Sequence, residues 1–208
     1  MWGMAVRSSP RRLILAAVFL LTAALTAGCG AGSASEPARS SSAAATGHGA
    51  TVASFRNDYL VFRYPARWKP FQFQVSGTLH FHPMVYVSTQ TSRNPCQQSP
   101  MGTECGWPVD RLRPNGVLIV WENRGYPGWS LASVPGKALR VGGRSARSAI
   151  ARPGACSAIG ADETVQVAIQ RPLPENWTAF TACLRGPDLS AAEREIDALL
   201  ASTRFLAP

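Results

Sequence analysis

Two histidines and a methionine lie close together in residues 78–89 and are the side chains best suited to bind a metal ion. His80 and His82 flank Phe81, so a β-strand would project both imidazoles from one face, with Met84 next along the chain. Imidazole nitrogens and a thioether sulfur are ligands that copper accepts. The alternative is a solvated sheet face with ordinary histidines, and no fourth ligand can be identified. We prefer this alternative and expect no cofactor.

Four of the five cysteines indicate disulfide bonds. They are Cys96, Cys105, Cys156 and Cys183, and four cysteines allow three pairings. We expect Cys96 to pair with Cys105 because these two close a short polar segment. We expect Cys156 to pair with Cys183 because they lie in neighbouring apolar segments. A zinc site is the other common use of four cysteines, but the sequence has no CxxC spacing.

The remaining cysteine, Cys29, follows a segment typical of a secretory signal peptide. Residues 1–28 contain three arginines and no acidic residue, and the apolar run at residues 13–25 is shorter than the roughly 20 residues that span a bilayer as a helix. The LTAGC motif of residues 25–29 resembles a bacterial lipobox, in which the cysteine carries diacylglycerol and becomes the mature N-terminus. We therefore predict a lipid on Cys29. The alternative is ordinary cleavage nearby, with this cysteine discarded or left as a thiol.

The chain divides into a predicted leader, tether and domain. After the signal peptide, residues 29–50 are small and polar, with no large apolar side chain to bury, and are expected to form a flexible tether. Residues 51–208 have the length of one ordinary domain. The predicted location is the extracytoplasmic face of the cell membrane, where the lipid on Cys29 holds the chain.

Composition and charge limit the class of partner. The chain is 46% apolar and 16% charged, which excludes collagen-like and coiled-coil proteins, and its single long apolar run, near the N-terminus, excludes a polytopic membrane protein. Its net charge of +9 falls to +6 when residues 1–28 are removed. Such a surface attracts anionic lipid headgroups or wall polymers, and salt weakens the attraction. Beyond the membrane itself, we expect a protein or an anionic envelope polymer as partner, and no nucleic acid.

A polar segment rich in proline and glycine, residues 90–114, is predicted to be an insertion loop bridged by the first cysteine pair. Its candidate binding residues are Arg93, Gln97, Gln98 and Glu104, because a disulfide lowers the entropy that a loop loses on binding. The alternative is that the bridge only protects the chain from proteases.

Four aromatic side chains near glycine and proline turns form a second candidate site. Trp107, Trp121, Tyr126 and Trp129 could line a groove for a glycan or a lipid tail. We prefer the alternative that they pack in the core, above all for Trp121.

The sequence carries no recognisable catalytic set. The motifs GxSxG, SxxK and HExxH are absent, and the carboxylates are scattered rather than paired. Three histidines, one of them in the tether, leave little material for a general base. We predict that the protein is not an enzyme.

The elements that position these residues are mainly strands. Apolar and polar residues alternate in residues 58–64, 71–75, 78–89 and 163–170, while residues 116–122 form an apolar run. Within residues 78–89 the alternation places Met84 and Tyr86 opposite Val85 and Val87, and Pro83 indicates an edge or a bulge.

Further pairing signals follow along the chain. Residues 136–151 predict a hairpin folded about Gly142 and Gly143. Residues 163–170 and 177–185 are expected to pair antiparallel. A short turn is expected near residues 54–58.

The last segment predicts a helix. Ser190 and Glu193 match a capping box, and Ile196, Leu199 and Leu200 form an apolar stripe at helical spacing. Six or seven strands followed by this helix predict an α+β domain, with a mostly antiparallel sheet covered on one face.

Two short motifs at the ends of the domain carry a family resemblance. FRYPARW at residues 62–68 and LLASTRF at residues 199–205, with the order of elements between them, resemble the PsbP-like α/β/α sandwich family. Many of its members are exported bacterial lipoproteins. The resemblance implies an antiparallel sheet with helices on both faces and a non-enzymatic binding or accessory role. The sequence departs from it at residues 90–114 and in lacking a clear second helix.

Lipidation of Cys29 is tested by labelling cells with radioactive palmitate. The label is expected on the wild-type chain and not on Cys29→Ser, and the variant should leave the membrane fraction, since several acyl chains hold a protein durably where one chain binds only marginally. A variant that remained membrane-bound, together with an unlabelled wild type, would refute the anchor.

Overall fold

The computed structural model of the protein describes residues 51–73, 81–99, 102–173 and 175–206, and its main element is a seven-stranded antiparallel sheet. The predicted signal peptide and tether, with Cys29, lie outside these residues. The elements are β1 (Val52–Arg56), β2 (Leu60–Pro65), β3 (Lys69–Phe71), β4 (Phe81–Ser88), β5 (Cys96–Ser99), β6 (Gly102–Cys105), β7 (Val117–Gly125), β8 (Lys137–Val141), β9 (Arg144–Ala151), β10 (Glu163–Gln170), β11 (Asn176–Leu184), α1 (Leu189–Ser202) and β12 (Arg204–Phe205). The large sheet has the order β3-β4-β7-β11-β10-β9-β8, and two small sheets have the orders β1-β2-β12 and β5-β6. The predicted α+β architecture, with a mostly antiparallel sheet and a C-terminal helix, is confirmed.

The pairing of β10 with β11 is the antiparallel pairing that the sequence predicts. Val167 and Phe180 are direct partners in its register, and both are buried. Because side chains alternate across a strand, Val165 and Ile169 share their face. The apolar side of both strands therefore lines one core.

The hairpin of β8 and β9 turns at Gly142 and Gly143, as predicted. Their φ angles are 56° and 79°, the left-handed pair that a type I′ turn requires. A Cβ on Gly142 would also lie 2.8 Å from the ring of Phe205. Glycine is required here both by the turn and by the close approach of β12.

A bulge in β4 corrects the predicted faces of this strand. The register with β7 shifts between Pro83 and Val85, where the proline indicated an edge or a bulge. The extra residue turns Met84 to the same buried cluster as Val85 and Val87, whereas Tyr86 faces the other side. The expectation that Met84 shares a face with Tyr86 is therefore wrong.

One face of the large sheet packs against the sheet β1-β2-β12 and helix α1. The ring of Phe62 from β2 lies 6.0 Å from that of Trp121 on β7, and Trp121 lies 4.8 Å from Phe180 on β11. The helix contributes its predicted stripe, Ile196, Leu199 and Leu200, to the same cluster. Full burial of each large side chain contributes about 1.5 to 3 kcal/mol.

The first strand replaces the turn expected near residues 54–58. β1 pairs antiparallel with β2, and Phe55 opposes Phe62 with ring centroids 5.2 Å apart. The aromatic cross-strand pair stabilises an extended backbone that the short local sequence did not indicate.

The helix begins one residue before the predicted capping box. Asp188 is the N-cap, and its carboxylate accepts a hydrogen bond from the backbone N–H of Ala191 at 3.0 Å. Ser190 lies inside the first turn, and Glu193 contacts Arg152 instead of capping the helix.

No helix in the described part of the chain is both long and apolar enough to cross a membrane.

Both predicted disulfides are confirmed. Cys96 and Cys105 face each other across β5 and β6, which form a small hairpin inside the predicted insertion of residues 90–114. Cys156 and Cys183 join a 3-10 segment, Gly154–Ile159, to β11.

The second face of the large sheet is covered by chain segments rather than by an α-helix, within the residues described. Val109 and Leu112, from the end of the insertion, pack with Leu118 and Val120 around the buried disulfide of Cys183. Part of the insertion therefore covers the second face of the large sheet.

The predicted strand at residues 71–75 is shorter than expected, since β3 ends at Phe71 and residues 74 and 75 lie outside the described ranges.

Glu163, at the start of β10, is a carboxylate with no exposed surface. Its Oε2 accepts a hydrogen bond from Nε of Arg152 at 2.5 Å, and Oε1 has no hydrogen-bond partner among the described residues. Burial raises the pKa of Glu163, and the nearby Glu193 adds to the rise, which together outweigh the opposing effect of Arg152. The same hydrogen bond raises the pKa of the exposed Arg152 guanidinium.

The raised pKa of Glu163 predicts how stability depends on pH. The folded chain holds this proton more tightly than the unfolded chain, whose value is about 4.3. The stabilising contribution is therefore complete below that value and is lost as pH rises through the folded pKa. In urea unfolding, the wild type should lose stability relative to Glu163→Gln as the pH rises above about 4.3. A wild type that instead gains stability relative to this variant with rising pH would mean that the ion pair with Arg152 dominates.

Candidate functional site

A groove of about 840 Å³ opens at one end of the core that lies between the large sheet and the sheet β1-β2-β12. Its walls come from the turn between β1 and β2, the start of β9, the connection of β10 to β11, and β12 with the residue after it. Its floor includes Met84, Asn123 and Thr178. Elements distant in sequence therefore meet at one site.

The floor follows from the bulge of β4 and from one cross-strand pair. The bulge turns Met84 toward this side of the sheet. Next to it, Thr178 on β11 opposes Asn123 on β7, and the threonine hydroxyl donates to Asn123 Oδ1 at 3.2 Å. The floor thus combines a thioether with a paired amide and hydroxyl.

The wall formed by the turn between β1 and β2 is fixed by hydrogen bonds from its backbone to the Asn57 side chain and to the segment after β12. Asn57 Oδ1 accepts from the backbone N–H groups of Tyr59 and Leu60, both at 3.0 Å. The carbonyl of Tyr59 accepts from Leu206 N–H at 2.9 Å, which holds the segment after β12 against the turn. This arrangement fixes the position of Tyr59 at the mouth of the groove.

Three arginines line the groove, and the best positioned is Arg144, the first residue of β9. Its guanidinium carbon lies 4.2 Å from the ring centroid of Phe205, a cation–π contact. Burial lowers the pKa of Arg144, and the positive charge of Arg171 lowers it further. Arg171 follows β10, and Arg56 ends β1.

These arginines lack carboxylate partners within the described residues. No ion pair there involves Arg56, Arg144 or Arg171, and Asp58 is the single acidic residue in the lining. Arginines elsewhere on the domain, such as Arg152, do form ion pairs. The groove therefore carries uncompensated positive charge.

Apolar groups lie beside this charge. They are Met84, Pro172, Leu173, Phe205 and Leu206. The described lining contains no histidine and no cysteine. The chemistry that the groove offers is binding of an anionic group next to an apolar one, by guanidinium hydrogen bonds and by contact with the apolar surface.

The candidate metal ligands are not assembled in the described residues. His82 is exposed on β4, opposite Asn123, and His80 lies outside the described ranges. Met84 is buried in the core cluster that reaches the floor of the groove. No group of three histidine, cysteine, aspartate or glutamate side chains in the described ranges is arranged to hold a metal ion.

The candidate binding loop is partly brought together. Arg93, Gln97 and Glu104 border one shallow depression of about 360 Å³. Gln98 lies outside this lining, and its amide donates to Thr103 Oγ1 at 2.9 Å. Arg93 forms a bidentate ion pair with the exposed Asp110, so its charge is already matched.

The four candidate aromatic side chains do not form one groove. Trp121 is fully buried in the core, as the preferred alternative expects, while Trp107 packs against the second face of the sheet. Trp129 stacks on Trp177 with ring centroids 4.5 Å apart, and Tyr126 is exposed. Trp177 was missed, although the alternation of β11 places it on the face opposite Phe180 and could have identified it.

Sequence reasoning also missed Arg144 and Arg171. They lie 27 positions apart, in no common motif, and each follows a predicted strand or turn as an ordinary solvated arginine would. The two arginines come close only because β9 pairs antiparallel with β10, which places the first residue of β9 next to the residue after β10.

The chain matches no protein-family model, and no curated protein and no solved structure matches it either.

Proposed function

We propose that this protein is an extracytoplasmic lipoprotein, tethered to the membrane through Cys29, whose domain binds an anionic component of the cell envelope in the arginine-lined groove. The role is non-enzymatic. The observation that carries the proposal is the pair Arg144 and Arg171, close enough for one charge to act on the other and without a carboxylate partner among the described residues.

The energetics of like charges support an anionic ligand. Two guanidinium groups at one groove repel each other, and burial of Arg144 removes part of its solvation. An anion between them relieves both costs, and a guanidinium binds phosphate or carboxylate oxygens in a bidentate manner. The site is therefore better adapted to a phosphate or carboxylate than to a neutral sugar.

The fold supports the proposal at a coarse level. The resemblance to the PsbP-like family implies an antiparallel sheet with helices packed on it, and the domain has a mostly antiparallel sheet and a C-terminal helix. A PsbP-like family member with a leader of this kind would be an exported accessory protein. The covering of the second face by the insertion and the 3-10 segment Gly154–Ile159 would be a departure from that family, which has helices on both faces.

Binding of inorganic polyphosphate to the processed, detergent-solubilised protein tests the proposed function. We expect the wild type to bind, and the double variant Arg144→Gln/Arg171→Gln to bind about tenfold more weakly or worse, because two charge-assisted contacts are lost. Rising salt should weaken the wild type more steeply than this variant.

The matched control is Arg111→Gln/Arg113→Gln, which removes the same charge from exposed positions outside the groove. Its affinity should stay within about twofold of the wild type, since separated surface charges contribute little. Equal losses in the two double variants, or no binding by the wild type, would overturn the proposed function.

A further inference from the structure

The mouth of the arginine-lined groove exposes apolar as well as basic side chains. Tyr59 is 46% exposed and Leu173 is 64% exposed, and both line the groove together with Arg56, Arg144 and Arg171. We call these five residues the groove face. Large exposed side chains next to arginines that have no carboxylate partner in the described part of the chain indicate a surface that meets a partner rather than water alone.

An anionic bilayer surface satisfies both parts of the groove face. Arginines are attracted to anionic headgroups, and a tyrosine ring is stable at the boundary between headgroups and acyl chains. Leu173 at the tip of its connection can enter the apolar side of that boundary. A soluble polyanion would match the arginines but would leave Leu173 and Tyr59 in water.

We propose that the groove face docks on anionic phospholipid headgroups of the membrane that anchors the chain. This inference rests on the proposed function and names the anionic component as lipid. Arg144 and Arg171 bind headgroup phosphates, while Tyr59 and Leu173 lie in the interfacial layer.

Hydrogen bonds attach one end of the connection that carries Arg171 and Leu173 to the rest of the domain. Gly128 N–H donates to Glu175 Oε1 at 2.8 Å, and Tyr126 N–H donates to the Glu175 carbonyl at 3.1 Å. These bonds reduce the conformational entropy that the connection can lose on docking.

The predicted anchor and tether are compatible with this orientation. The 21 residues between Cys29 and residue 51, if they form the flexible tether that the sequence predicts, would have a root-mean-square span of about 25 Å, and β1 begins at the end of the strand away from Asn57. That strand is about 15 Å long, so the tether can place the groove face on the surface that holds Cys29.

Hydrogen exchange of the lipidated protein reconstituted into vesicles tests the docking. One set of vesicles is phosphatidylcholine alone, and the other contains phosphatidylglycerol as well. We expect the amides of residues 56–60 to exchange more slowly on the anionic vesicles, and this protection to disappear at high salt.

The variants of the groove face decide whether that protection comes from docking. Arg144→Gln/Arg171→Gln should lower the docking equilibrium about thirtyfold, which corresponds to about 1 kcal/mol for each arginine. Arg111→Gln/Arg113→Gln should leave it unchanged. Because Arg144 packs on Phe205, Leu173→Ser provides a second variant outside the core, and it should also reduce protection.

The result distinguishes failure of this inference from failure of the proposed function. Equal exchange on both kinds of vesicle, with polyphosphate binding intact and sensitive to Arg144→Gln/Arg171→Gln, would overturn membrane docking and retain a soluble anionic partner. Loss of both vesicle protection and polyphosphate binding would overturn the two together. Protection that the control Arg111→Gln/Arg113→Gln also abolished would show general charge attraction and would equally refute docking through the groove face.

Discussion

The guanidinium of Arg144 lies over the ring of Phe205, and this contact joins the charge of the groove to the core of the domain. Phe205 packs edge-on against Trp121, with centroids 6.3 Å apart, and so touches the centre of the large sheet. Gly142 must be glycine partly because the same ring lies against it. The position of the charge therefore depends on the hairpin turn, on β12 and on the core at once.

This dependence explains why the groove keeps its shape although its walls come from distant parts of the chain. β12 pairs with β2, and the residue after it bonds to the turn that carries Tyr59. The connection of β10 to β11 places Arg171 beside Arg144, because β9 and β10 are neighbouring antiparallel strands. Packing of the strands holds the start of β9 and the end of β10 in place, so Arg144 and Arg171 stay close despite their repulsion. An anion bound by both arginines would remove that repulsion.

The parts of the fold that sequence reasoning predicted are those governed by local pattern. Alternation identified β10 and β11, two adjacent glycines identified the hairpin, and an even set of cysteines indicated both bridges. The start of the helix was misjudged because Asp188 and Ser190 are both good N-caps within one turn of each other. β1 was missed because its stability comes from pairing with β2 rather than from its own short sequence.

The candidate site could not be predicted in the same way. A bulge moves Met84 to the core, and no pattern in the sequence states which residue a bulge will turn. Arg144, Arg171 and Phe205 come together only through sheet order, so their common use is invisible until β9, β10 and β12 are placed. The candidate site residues from the sequence are of types that bind ligands. In the described residues, however, they do not lie together in the arginine-lined groove.

An NMR titration of the arginine Nε–Hε resonances with inorganic pyrophosphate shows whether Arg144 and Arg171 bind an anion together. We predict saturable shifts at Arg144 and Arg171, with the resonances of Arg111 and Arg113 almost unmoved. Shifts that grow in proportion at every exposed arginine without saturation, or no shift at the two groove residues, would contradict this prediction.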